Sequence, residues 1–317
     1  MHYKPMLCQK ADKRLLKSKD YYFEIKLDGT RAIIYIDKRN KSLKIVNRRG
    51  FRIEKRYPEF KDIFDYINCR SCVLDSEIIV YNENGLPDFR LLQQRDLLEN
   101  KLLINLRSKE MPATAVVFDI LEKDGKSLIN LEIEKRKKIL ENVVRENKII
   151  QKMIYVDNGF ELWKTVEELK LEGLIAKQKH SRYLPGKRSK FWLKIKNLKS
   201  LDAVIVGYTE RQNDPSLFGA LALALYKNKK ELFYIGRVGT GWSLEFVEYL
   251  SKKLKELKVK KPPVVNPPKR KINWVKPKLV CEVEYLEVTP EKELRAPSFK
   301  RLRTDKKAKD CKLTQLS

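Results

Sequence analysis

Apolar and polar residues alternate with a period of two near the start of the chain, a pattern typical of β-strands. The alternation predicts a hairpin over residues 21–36. Its turn is predicted at Asp28-Gly29, because such a pair adopts the backbone angles that a tight turn needs. Glu24 and Lys26 fall on the polar face of the first strand. The pattern therefore predicts a lysine held at a strand end, with carboxylates on either side.

Further strands and two helices are predicted before residue 200. Apolar residues at helical spacing predict helices over residues 131–147 and about 160–171. One strand carries Glu77 inside an apolar run. A carboxylate in such a position needs a partner or a function, because burying an unpaired charge is costly. The strands are predicted at residues 43–46, 73–81, 115–121, 174–176 and 191–196.

The pattern changes near residues 197–201, and closely spaced strands follow it. An amphipathic helix over residues 243–257, with Ser243 as its N-cap, interrupts them. About five strands and one helix suit an OB-type barrel. We therefore predict an α+β protein with two domains, residues 1–198 and residues 199–317, the second an OB-fold β-barrel. Its strands are predicted at residues 203–208, 221–226, 232–238 and 280–288.

The charge balance indicates a polyanionic partner. The 317-residue chain holds 69 Lys and Arg against 42 Asp and Glu, a formal net charge of +27. That excess is larger than solubility requires. Nucleic acid is favoured over an anionic membrane surface, because no basic amphipathic helix with an apolar face for lipid is evident. A lysine-biased composition, which would spread lysine over every solvated surface, is the alternative explanation.

Several other classes of protein are not expected. No apolar run approaches the ~20 residues of a membrane span, and the start of the chain lacks a signal-peptide core, so we expect a cytoplasmic protein. Five cysteines, an odd number, argue against a disulfide framework. Cys69 and Cys72 have zinc-like spacing but lack a second pair. With two histidines in the chain, the chemistry must use lysine, arginine and carboxylates.

Charged and aromatic residues recur in seven blocks along the chain. Taken singly, each block has an ordinary explanation: Lys26 would lie in an exposed hairpin of a lysine-rich protein, and Phe118 would belong to the core. Their order carries more information than any one of them. The blocks are Lys26-Leu-Asp-Gly29, Arg48, Asp75-Ser-Glu77, Phe118-Asp119, Glu172-Gly-Leu-Ile-Ala-Lys177, Trp192-Leu-Lys-Ile-Lys196 and Arg295-Ala-Pro-Ser-Phe-Lys-Arg-Leu-Arg-Thr-Asp-Lys306.

This order resembles the covalent nucleotidyltransferase superfamily of ATP-dependent DNA ligases. Residues 88–95 and 236–241 add a resemblance to the ligase domain of the bacterial and archaeal ligase D group, used in end joining. The resemblance covers nearly the whole chain. It implies an adenylation (nucleotidyltransferase) domain of antiparallel sheets and helices over residues 1–198, followed by the OB-fold domain. The implied function is the sealing of 5′-phosphate/3′-hydroxyl DNA breaks in repair.

The resemblance assigns the chemistry to Lys26. This lysine would attack the α-phosphate of ATP, form a covalent lysyl-adenylate and release pyrophosphate. The AMP would then pass to a 5′-phosphate, and a 3′-hydroxyl would expel it. Lysine is nucleophilic near neutral pH only with a lowered pKa, and Lys194, Lys196 and a bound metal are the candidates for lowering it. Glu77 and Glu172 would supply oxygen ligands to that metal, Mg²⁺ or Mn²⁺, or would contact the ribose and water.

The same resemblance implies the contacts with the base of ATP. Phe118 would stack on one face of the adenine, and Ile175 would close the other face. Glu24 would recognise the adenine edge. Ile25, next to the nucleophile, belongs to the same nucleotide-binding set.

Arginine and lysine residues are implied as phosphate contacts. Arg31 and Arg48 would bind the ribose or the phosphate of the nick, since a planar guanidinium suits bidentate contacts. Arg303 and Lys306 would close over the pyrophosphate in the first step. That closure requires the OB-fold domain to swing, with residues 197–201 as the hinge.

Partners follow from the same reasoning. Only 25 residues precede Lys26, so we expect no large helical DNA-binding domain. A basic surface would instead hold nicked or broken duplex DNA. Binding should then depend steeply on salt. We expect a nucleoid-associated monomer without membrane contact. Polymerase and nuclease modules would be separate chains, and a Ku-like end-binding protein is a candidate partner. An RNA ligase, a capping-type nucleotidyltransferase and a non-catalytic OB-fold DNA-binding protein are the alternatives.

Overall fold

The computed structural model describes residues 3–316, which form two compact units. The first unit ends at Asn197 and the second begins at Leu198. The backbone N–H of Asn197 donates to the carbonyl oxygen of Glu172 at 2.9 Å, which ties it to the first unit. The first strand of the second unit begins at Lys199. Leu198 is therefore the only residue between Asn197 and the first strand of the second unit.

The first unit combines β-strands with four α-helices in its described part. Its strands are β1 (Leu7–Lys10), β2 (Tyr21–Ile25), β3 (Thr30–Asp37), β4 (Ser42–Asn47), β5 (Ser71–Val80), β6 (Ala113–Lys123), β7 (Lys126–Ser127), β8 (Ile150–Lys152), β9 (Tyr155–Val156), β10 (Gly173–Gln178) and β11 (Arg188–Lys196). Its helices are α1 (Phe89–Asp96), α2 (Lys101–Glu110), α3 (Ile133–Val143) and α4 (Gly159–Glu168). Short 3₁₀ helices cover Lys13–Lys17, Glu54–Arg56 and Pro58–Tyr66.

These strands form two sheets. The first has the order β1-β11-β10-β2-β9, and the second has the order β4-β3-β5-β6-β7, with β8 paired to β6. All pairs are antiparallel except β1 with β11 and β6 with β8. The predicted α+β class with antiparallel sheets is confirmed.

Aromatic side chains pack where the two sheets meet. Trp192 of β11 is buried, and its ring lies edge-on to Phe118 of β6 and to Tyr183, with centroids 6.0 and 5.5 Å apart. Ile33 of β3 belongs to the same buried cluster. Large rings contribute much apolar area when they are buried, so this cluster is a main contact between the sheets.

The predicted hairpin over residues 21–36 is wrong. β2 pairs with β10 and β9, whereas β3 pairs with β4 and β5, so the two consecutive strands belong to different sheets. Alternation indicates which side chains share a face, but it does not specify the neighbouring strand. Residues 26–29 instead carry the chain from one sheet to the other, and Lys26 lies at the start of this crossing.

Helices α1 and α2 are not predicted by the sequence pattern. Asp88 caps α1 by accepting hydrogen bonds from two backbone N–H groups, and Asn100 caps α2 in the same way. In α2, Ile104 is buried, but Leu102 is 79% exposed and its neighbours are also exposed. Its apolar residues therefore do not form the single stripe by which a helix is recognised.

The second unit is a five-stranded barrel with one long helix. Its strands are β12 (Lys199–Arg211), β13 (Asp214–Tyr226), β14 (Leu232–Val238), β15 (Asn273–Tyr285) and β16 (Ser298–Leu302), and its helix is α5 (Leu244–Glu256). Short 3₁₀ helices cover Ala308–Asp310 and Leu313–Leu316.

The strand order is β14-β13-β12-β15-β16. The two ends of this sheet are joined, because Phe299 N–H donates to Thr240 O and Leu294 N–H donates to Ile235 O, both at 2.9 Å. Ser243 accepts from Phe246 N–H and caps α5, as predicted. The predicted OB-fold barrel is confirmed.

None of the helices that the structure describes is both long and apolar enough to cross a membrane.

Arg95 is a fully buried charge outside the cavity that contains Lys26. Its side chain is fully buried and forms a two-pronged ion pair with Glu59, at 2.8 and 3.1 Å. It also donates to the carbonyl oxygens of Met111 and Arg56. Glu59 in turn accepts from Ala113 N–H at 2.8 Å. This pair therefore ties α1 to the 3₁₀ helix at residues 58–66 and to the start of β6.

We expect Arg95→Met to lower the free energy of unfolding of the first unit by about 3–5 kcal/mol, since removing one partner leaves the other charge buried. Urea denaturation followed by far-UV circular dichroism measures this. The control is Arg107→Met, whose ion pair with Glu110 is nearly half exposed and should contribute less than about 1 kcal/mol. Equal losses in the two variants would contradict the expectation.

Candidate active site

One cavity of about 250 Å³ gathers the predicted site residues of the first unit. Both sheets contribute to its walls, and Lys26 and Leu27, from the segment that connects the sheets, also line it. All eleven of the predicted residues that belong to this unit line the cavity: Glu24, Ile25, Lys26, Arg31, Arg48, Glu77, Phe118, Glu172, Ile175, Lys194 and Lys196.

Lys26 is held at both its backbone and its side chain. Its N–H donates to the carbonyl oxygen of Gly173 at 2.9 Å. Its Nζ forms an ion pair with Glu172 Oε2. Lys196 Nζ pairs with the other oxygen of the same carboxylate, at 3.1 Å. Glu172 therefore fixes two lysines on adjacent walls of the cavity, and the Lys26 side chain keeps 22% of its surface exposed.

Two glycines allow this arrangement. A Cβ atom on Gly29 would lie 2.3 Å from the carbonyl oxygen of Ile78, so only glycine lets the crossing segment approach β5 so closely. A Cβ atom on Gly173 would lie 2.0 Å from the carbonyl oxygen of Ile195, and the φ angle of Gly173 is +143°. Both glycines therefore set the distance between the strands that carry the charged side chains.

Glu24 is buried between two lysines whose contact with it the sequence did not predict. Its Oε1 accepts from Lys137 Nζ, and its Oε2 pairs with Lys177 Nζ, both at 2.6 Å. All three side chains are at most 3% exposed. Burial lowers the pKa of Lys177, although the charge of Glu24 opposes that effect. The edge of the cavity thus contains a carboxylate whose orientation is fixed from both sides.

Aromatic rings and cations stack beside this group. Lys177 Nζ lies 4.3 Å from the ring centroids of Phe118 and Trp192. The guanidinium carbon of Arg31 lies 4.8 Å from the centroid of Phe118. Contacts of this kind are electrostatically favourable, because a cation is attracted to the face of an aromatic ring. Phe118 is therefore held firmly and is only 7% exposed.

Arg31 is anchored by a buried carboxylate. Its Nε and Nη2 donate to the two oxygens of Asp75, at 2.8 and 2.7 Å, and Nη2 also donates to Met6 O. Tyr183 donates its hydroxyl to Asp75 at 2.6 Å. Asp75 therefore positions Arg31. Asp119 has a comparable structural role, since it forms a two-pronged, fully buried ion pair with Arg136 at 2.8 Å.

Glu77 is in a different situation from these paired carboxylates. Within residues 3–316, its side chain has neither a hydrogen-bond partner nor an ion-pair partner within 4 Å. Burial raises the pKa of Glu77 to about 7, despite the nearby charges of Arg31 and Lys26. A carboxylate without a protein partner that lines a cavity is available to a ligand.

The remaining predicted residues of this unit differ in exposure. Lys194 is partly buried, and its pKa is lowered by burial and by the charges of Lys196 and Lys26. Arg48 is exposed and lines both this cavity and a neighbouring one of about 310 Å³. Ile175 of β10 lies opposite Glu24 of β2 in the sheet register.

Arg303 and Lys306 belong to the second unit. Arg303 Nη1 donates to Asp202 Oδ1 at 2.8 Å, and Lys306 Nζ donates to the other oxygen of Asp202. Arg303 also pairs with Asp305 at 2.7 Å.

Sequence reasoning missed several residues that line the cavity. Lys177 and Trp192 stand in the ordered sequence blocks, but no role was predicted for either. β1 contributes two residues from a stretch that carries no recognisable signal. The lining residues without a predicted role are Leu7, Cys8, Leu27, Met153, Lys177, Arg188 and Trp192.

A lysine-centred cavity in an α+β unit that precedes an OB-fold barrel is the arrangement of the covalent nucleotidyltransferases, and the family comparisons agree. Residues 5–196 match the ATP dependent DNA ligase domain, and residues 214–306 match the ATP dependent DNA ligase C terminal region. The chain belongs to the family of ATP-dependent DNA ligases.

Relatives within this family include mycobacterial proteins. The multifunctional non-homologous end joining protein LigD of Mycolicibacterium smegmatis is 34% identical over 95% of this chain, which spans 38% of the length of that protein. The ligase domain of M. tuberculosis LigD is 29% identical, with a TM-score of 0.54 over 98% of this chain and 97% of that one. A mycobacterial DNA ligase D solved with ATP and MES gives 29% identity and a TM-score of 0.55, with the same coverage.

The geometry at Gly173 generates a prediction for the cavity. We expect Gly173→Ala to weaken ATP binding at least about tenfold, because the new methyl group must push β10 and β11 apart and displace Glu172. Isothermal titration with ATP measures this.

The matched control is Gly125→Ala. Gly125 also has a positive φ angle, +80°, but nothing lies within 4 Å of the position that a Cβ atom would occupy there. That variant should lose about 1–2 kcal/mol of stability and keep its ATP affinity. Equal ATP affinities for the two variants would count against the role given to Gly173.

Proposed function

We propose that the chain is an active ATP-dependent DNA ligase that seals 5′-phosphate/3′-hydroxyl breaks through a lysyl-AMP intermediate and a DNA-adenylate. Family membership supports the reaction class. The single observation that carries the assignment to Lys26 is its double anchoring, at the Gly173 carbonyl and the Glu172 carboxylate, inside the cavity. A nucleophile held in place reacts faster, because its positional entropy is lost before the reaction begins.

In the first step, Lys26 Nζ would lose a proton and attack the α-phosphorus of ATP. A P–N bond forms, the bond to the bridging oxygen breaks, and pyrophosphate leaves. Glu172 holds Lys26 and Lys196 on one carboxylate, so the attacking amine and a cation that neutralises developing phosphate charge stay together. Lys194 adds a second cation on the same strand.

Recognition of ATP would use the buried edge of the cavity. Glu24 and the backbone of Ile25 would contact the adenine edge, and Phe118 and Ile175 would enclose its faces. Because Lys137 and Lys177 fix both oxygens of Glu24, that carboxylate is set to accept a hydrogen bond from the exocyclic amine of adenine. Guanine presents an acceptor at the same position, so such a carboxylate would disfavour GTP.

Phosphate or ribose contacts would come from Arg31 and Arg48. Asp75 and Met6 occupy Nε and Nη2 of Arg31, which leaves Nη1 for the nucleotide. Arg48 is exposed and lies between two cavities. That position suits the 5′-phosphate of a nick.

A divalent metal would fit beside the nucleotide. No group of three or more metal-ligating side chains occurs within residues 3–316. Mg²⁺ in phosphoryl-transfer sites is commonly held by one or two carboxylates together with substrate phosphates. Glu77, which has no protein partner within residues 3–316, would supply one such oxygen. Glu172 would supply another by exchanging a lysine contact for the metal, since Lys26 and Lys196 pair with its two oxygens; Mn²⁺ would fit the same ligands. Bound there, the metal would neutralise charge on the phosphates.

The second unit would act in the first step through Arg303 and Lys306, which we propose contact the departing pyrophosphate. Residues 197–201 are the proposed hinge. Within that segment, Leu198 alone lies between Asn197, which is hydrogen-bonded to Glu172, and the start of β12. The AMP would then pass to the 5′-phosphate of the nick, and the 3′-hydroxyl would attack and expel AMP.

We expect Lys26→Ala to form no enzyme–AMP adduct from radiolabelled ATP and to seal no nick from free ATP. The variant should still seal some of a nick that already carries AMP, because Lys26 acts only in the first step. Label that stays with the protein on a denaturing gel measures adduct formation. Conversion of the nicked strand to the longer sealed strand measures sealing.

Lys101→Ala, at an exposed lysine of α2, is the control and should retain both activities. An adduct in Lys26→Ala would refute the assignment. Retained label from GTP and not from ATP would favour a capping-type enzyme, and sealing restricted to RNA would favour an RNA ligase. If the unaltered chain forms no adduct, the remaining alternative is a non-catalytic DNA-binding protein.

Duplex DNA would contact the basic surface, and one basic cavity in the second unit is a candidate contact site. It measures about 460 Å³ and is lined by Arg237, Lys269 and Arg270 with a single carboxylate, Glu293. In the part of the chain that the structure describes, none of the three cations forms an ion pair within 4 Å. Three cations without an acidic partner around one cavity suit a DNA backbone phosphate.

The wall of this cavity is rigid. Asn266 binds the backbone of Tyr234 twice: its Oδ1 accepts from the N–H at 2.7 Å, and its Nδ2 donates to the carbonyl at 3.1 Å. Val265 N–H also donates to Leu232 O at 2.9 Å. The proline-rich loop that carries Lys269 and Arg270 is thereby fixed to β14.

We expect the double variant Arg237→Gln/Arg270→Gln to bind nicked duplex DNA more weakly, because two phosphate contacts are lost, and to form the AMP adduct normally. The slope of log affinity against log salt should fall by about 1–2. Fluorescence anisotropy over a salt series measures this. Lys229→Gln/Lys230→Gln, at an exposed turn of the same unit, removes the same charge and should change the slope less. Equal slopes in the two variants would argue against a defined contact.

The biological setting would be DNA repair with a role in end joining, as the names of the LigD relatives suggest. A Ku-like end-binding protein is the partner we propose for broken ends. The protein would act as a monomer associated with the nucleoid.

A further inference from the structure

Asp202 holds the two cations of the closing segment together. It lies near the start of β12, and its side chain is 10% exposed. Oδ1 accepts from Arg303 Nη1 at 2.8 Å, and Oδ2 accepts from Lys306 Nζ. One carboxylate therefore fixes two cations that are three residues apart in the sequence.

The backbone of Asp202 is fixed as well. Its N–H donates to Gln315 Oε1, and its carbonyl accepts from Gln315 Nε2, both at 3.2 Å. β12 also pairs Asp202 with Glu282 of β15. Since both backbone polar groups and both side-chain oxygens are engaged, Asp202 has one orientation available.

The two cations depend on Asp202 to different degrees. Arg303 has a second carboxylate partner, Asp305. The backbone N–H of Arg303 also donates to Val280 O at 2.8 Å. Within residues 3–316, the side chain of Lys306 has no acidic partner within 4 Å other than Asp202. A lysine side chain has four rotatable bonds and loses considerable entropy when it is held in one place. Asp202 has therefore already removed much of that freedom.

The formal charges of this group balance, since Arg303 and Lys306 face the two carboxylates of Asp202 and Asp305. Asp305 is 65% exposed, so solvent screens its charge more than that of Asp202, which is 10% exposed. The Lys306 side chain is 40% exposed and remains accessible to an anion. An anion that meets Arg303 and Lys306 therefore encounters two cations held in a fixed relation.

We propose that Asp202 is a positioning residue for enzyme adenylation, which presents Arg303 and Lys306 as one preassembled pair to the β- and γ-phosphates of ATP. The inference rests on the proposed function and adds a residue to it. Asp202 touches no substrate in this proposal; it acts through the two cations. Its effect is confined to the step that releases pyrophosphate, because later steps involve no triphosphate.

The test compares Asp202→Asn with the matched control Glu282→Gln. Asparagine keeps the shape of Asp202 and removes its charge. Glu282 is the cross-strand neighbour of Asp202 and pairs with Arg301 at 2.8 Å, so its variant removes the same charge from the same sheet. Neither substitution leaves a cavity. Thermal unfolding by circular dichroism checks that both variants fold.

We expect Asp202→Asn to slow formation of the enzyme–AMP adduct about 10- to 100-fold, the usual cost of losing a group that orients a contact residue. Sealing of a nick that already carries AMP should stay within about threefold of the unaltered chain on this reasoning. Glu282→Gln should change neither rate by more than about twofold. Asp202→Glu should recover part of the adenylation rate, since it restores the charge.

A triple variant separates positioning from a general structural role. If Asp202 acts through Arg303 and Lys306, then adding Asp202→Asn to Arg303→Ala/Lys306→Ala should slow adenylation no further. A purely structural residue would add its own loss to that of the pair.

Three results would overturn the proposal: adenylation of Asp202→Asn at the rate of the unaltered chain, an equal loss of adenylation and of sealing at the preformed DNA-adenylate, and additive losses in the combined variant. Failure of the proposed function has a different signature. In that case the unaltered chain forms no adduct with ATP, and the role of Asp202 falls with it because no triphosphate step exists.

Discussion

The contact of residues 172–173 with Lys26 is the constraint on which the cavity depends. The Gly173 carbonyl fixes the backbone of Lys26, and the Glu172 carboxylate fixes its side chain. Because β2 and β3 belong to different sheets, residues 26–29 must bridge them, and Lys26 lies where that bridge begins. The same carboxylate binds Lys196 on β11, so a single acidic residue organises both the proposed nucleophile and a neighbouring cation.

Much of this arrangement could be predicted from the order of the sequence blocks. All eleven of the predicted first-unit residues line one cavity, because a series of motifs carries more information than local pattern. The pairing of β2 and β3 was predicted incorrectly for a physical reason. Side-chain alternation reports burial on each face of a strand, whereas the neighbouring strand depends on contacts far away in sequence.

Buried charges were the least predictable part of the site. Lys137 and Lys177 are hidden against Glu24, although lysine is normally exposed and sequence patterns treat it as such. Asp75 and Asp119 stand in the same sequence blocks as predicted site residues, and the structure uses them to orient Arg31 and to pair with Arg136. Only the three-dimensional neighbours reveal which carboxylates are already engaged and which, like Glu77, remain available.

The burial of Lys137 and Lys177 makes the many amines of this chain chemically unequal. A water-soluble acylating reagent reaches solvated amines quickly, but it reaches an amine at 2–3% exposure only when the protein opens locally. Labelling of these two lysines would therefore report local opening around Glu24, against a background of fast-reacting surface lysines. The many exposed lysines thus provide a fast-reacting reference against which the rate of local opening in the first unit can be measured.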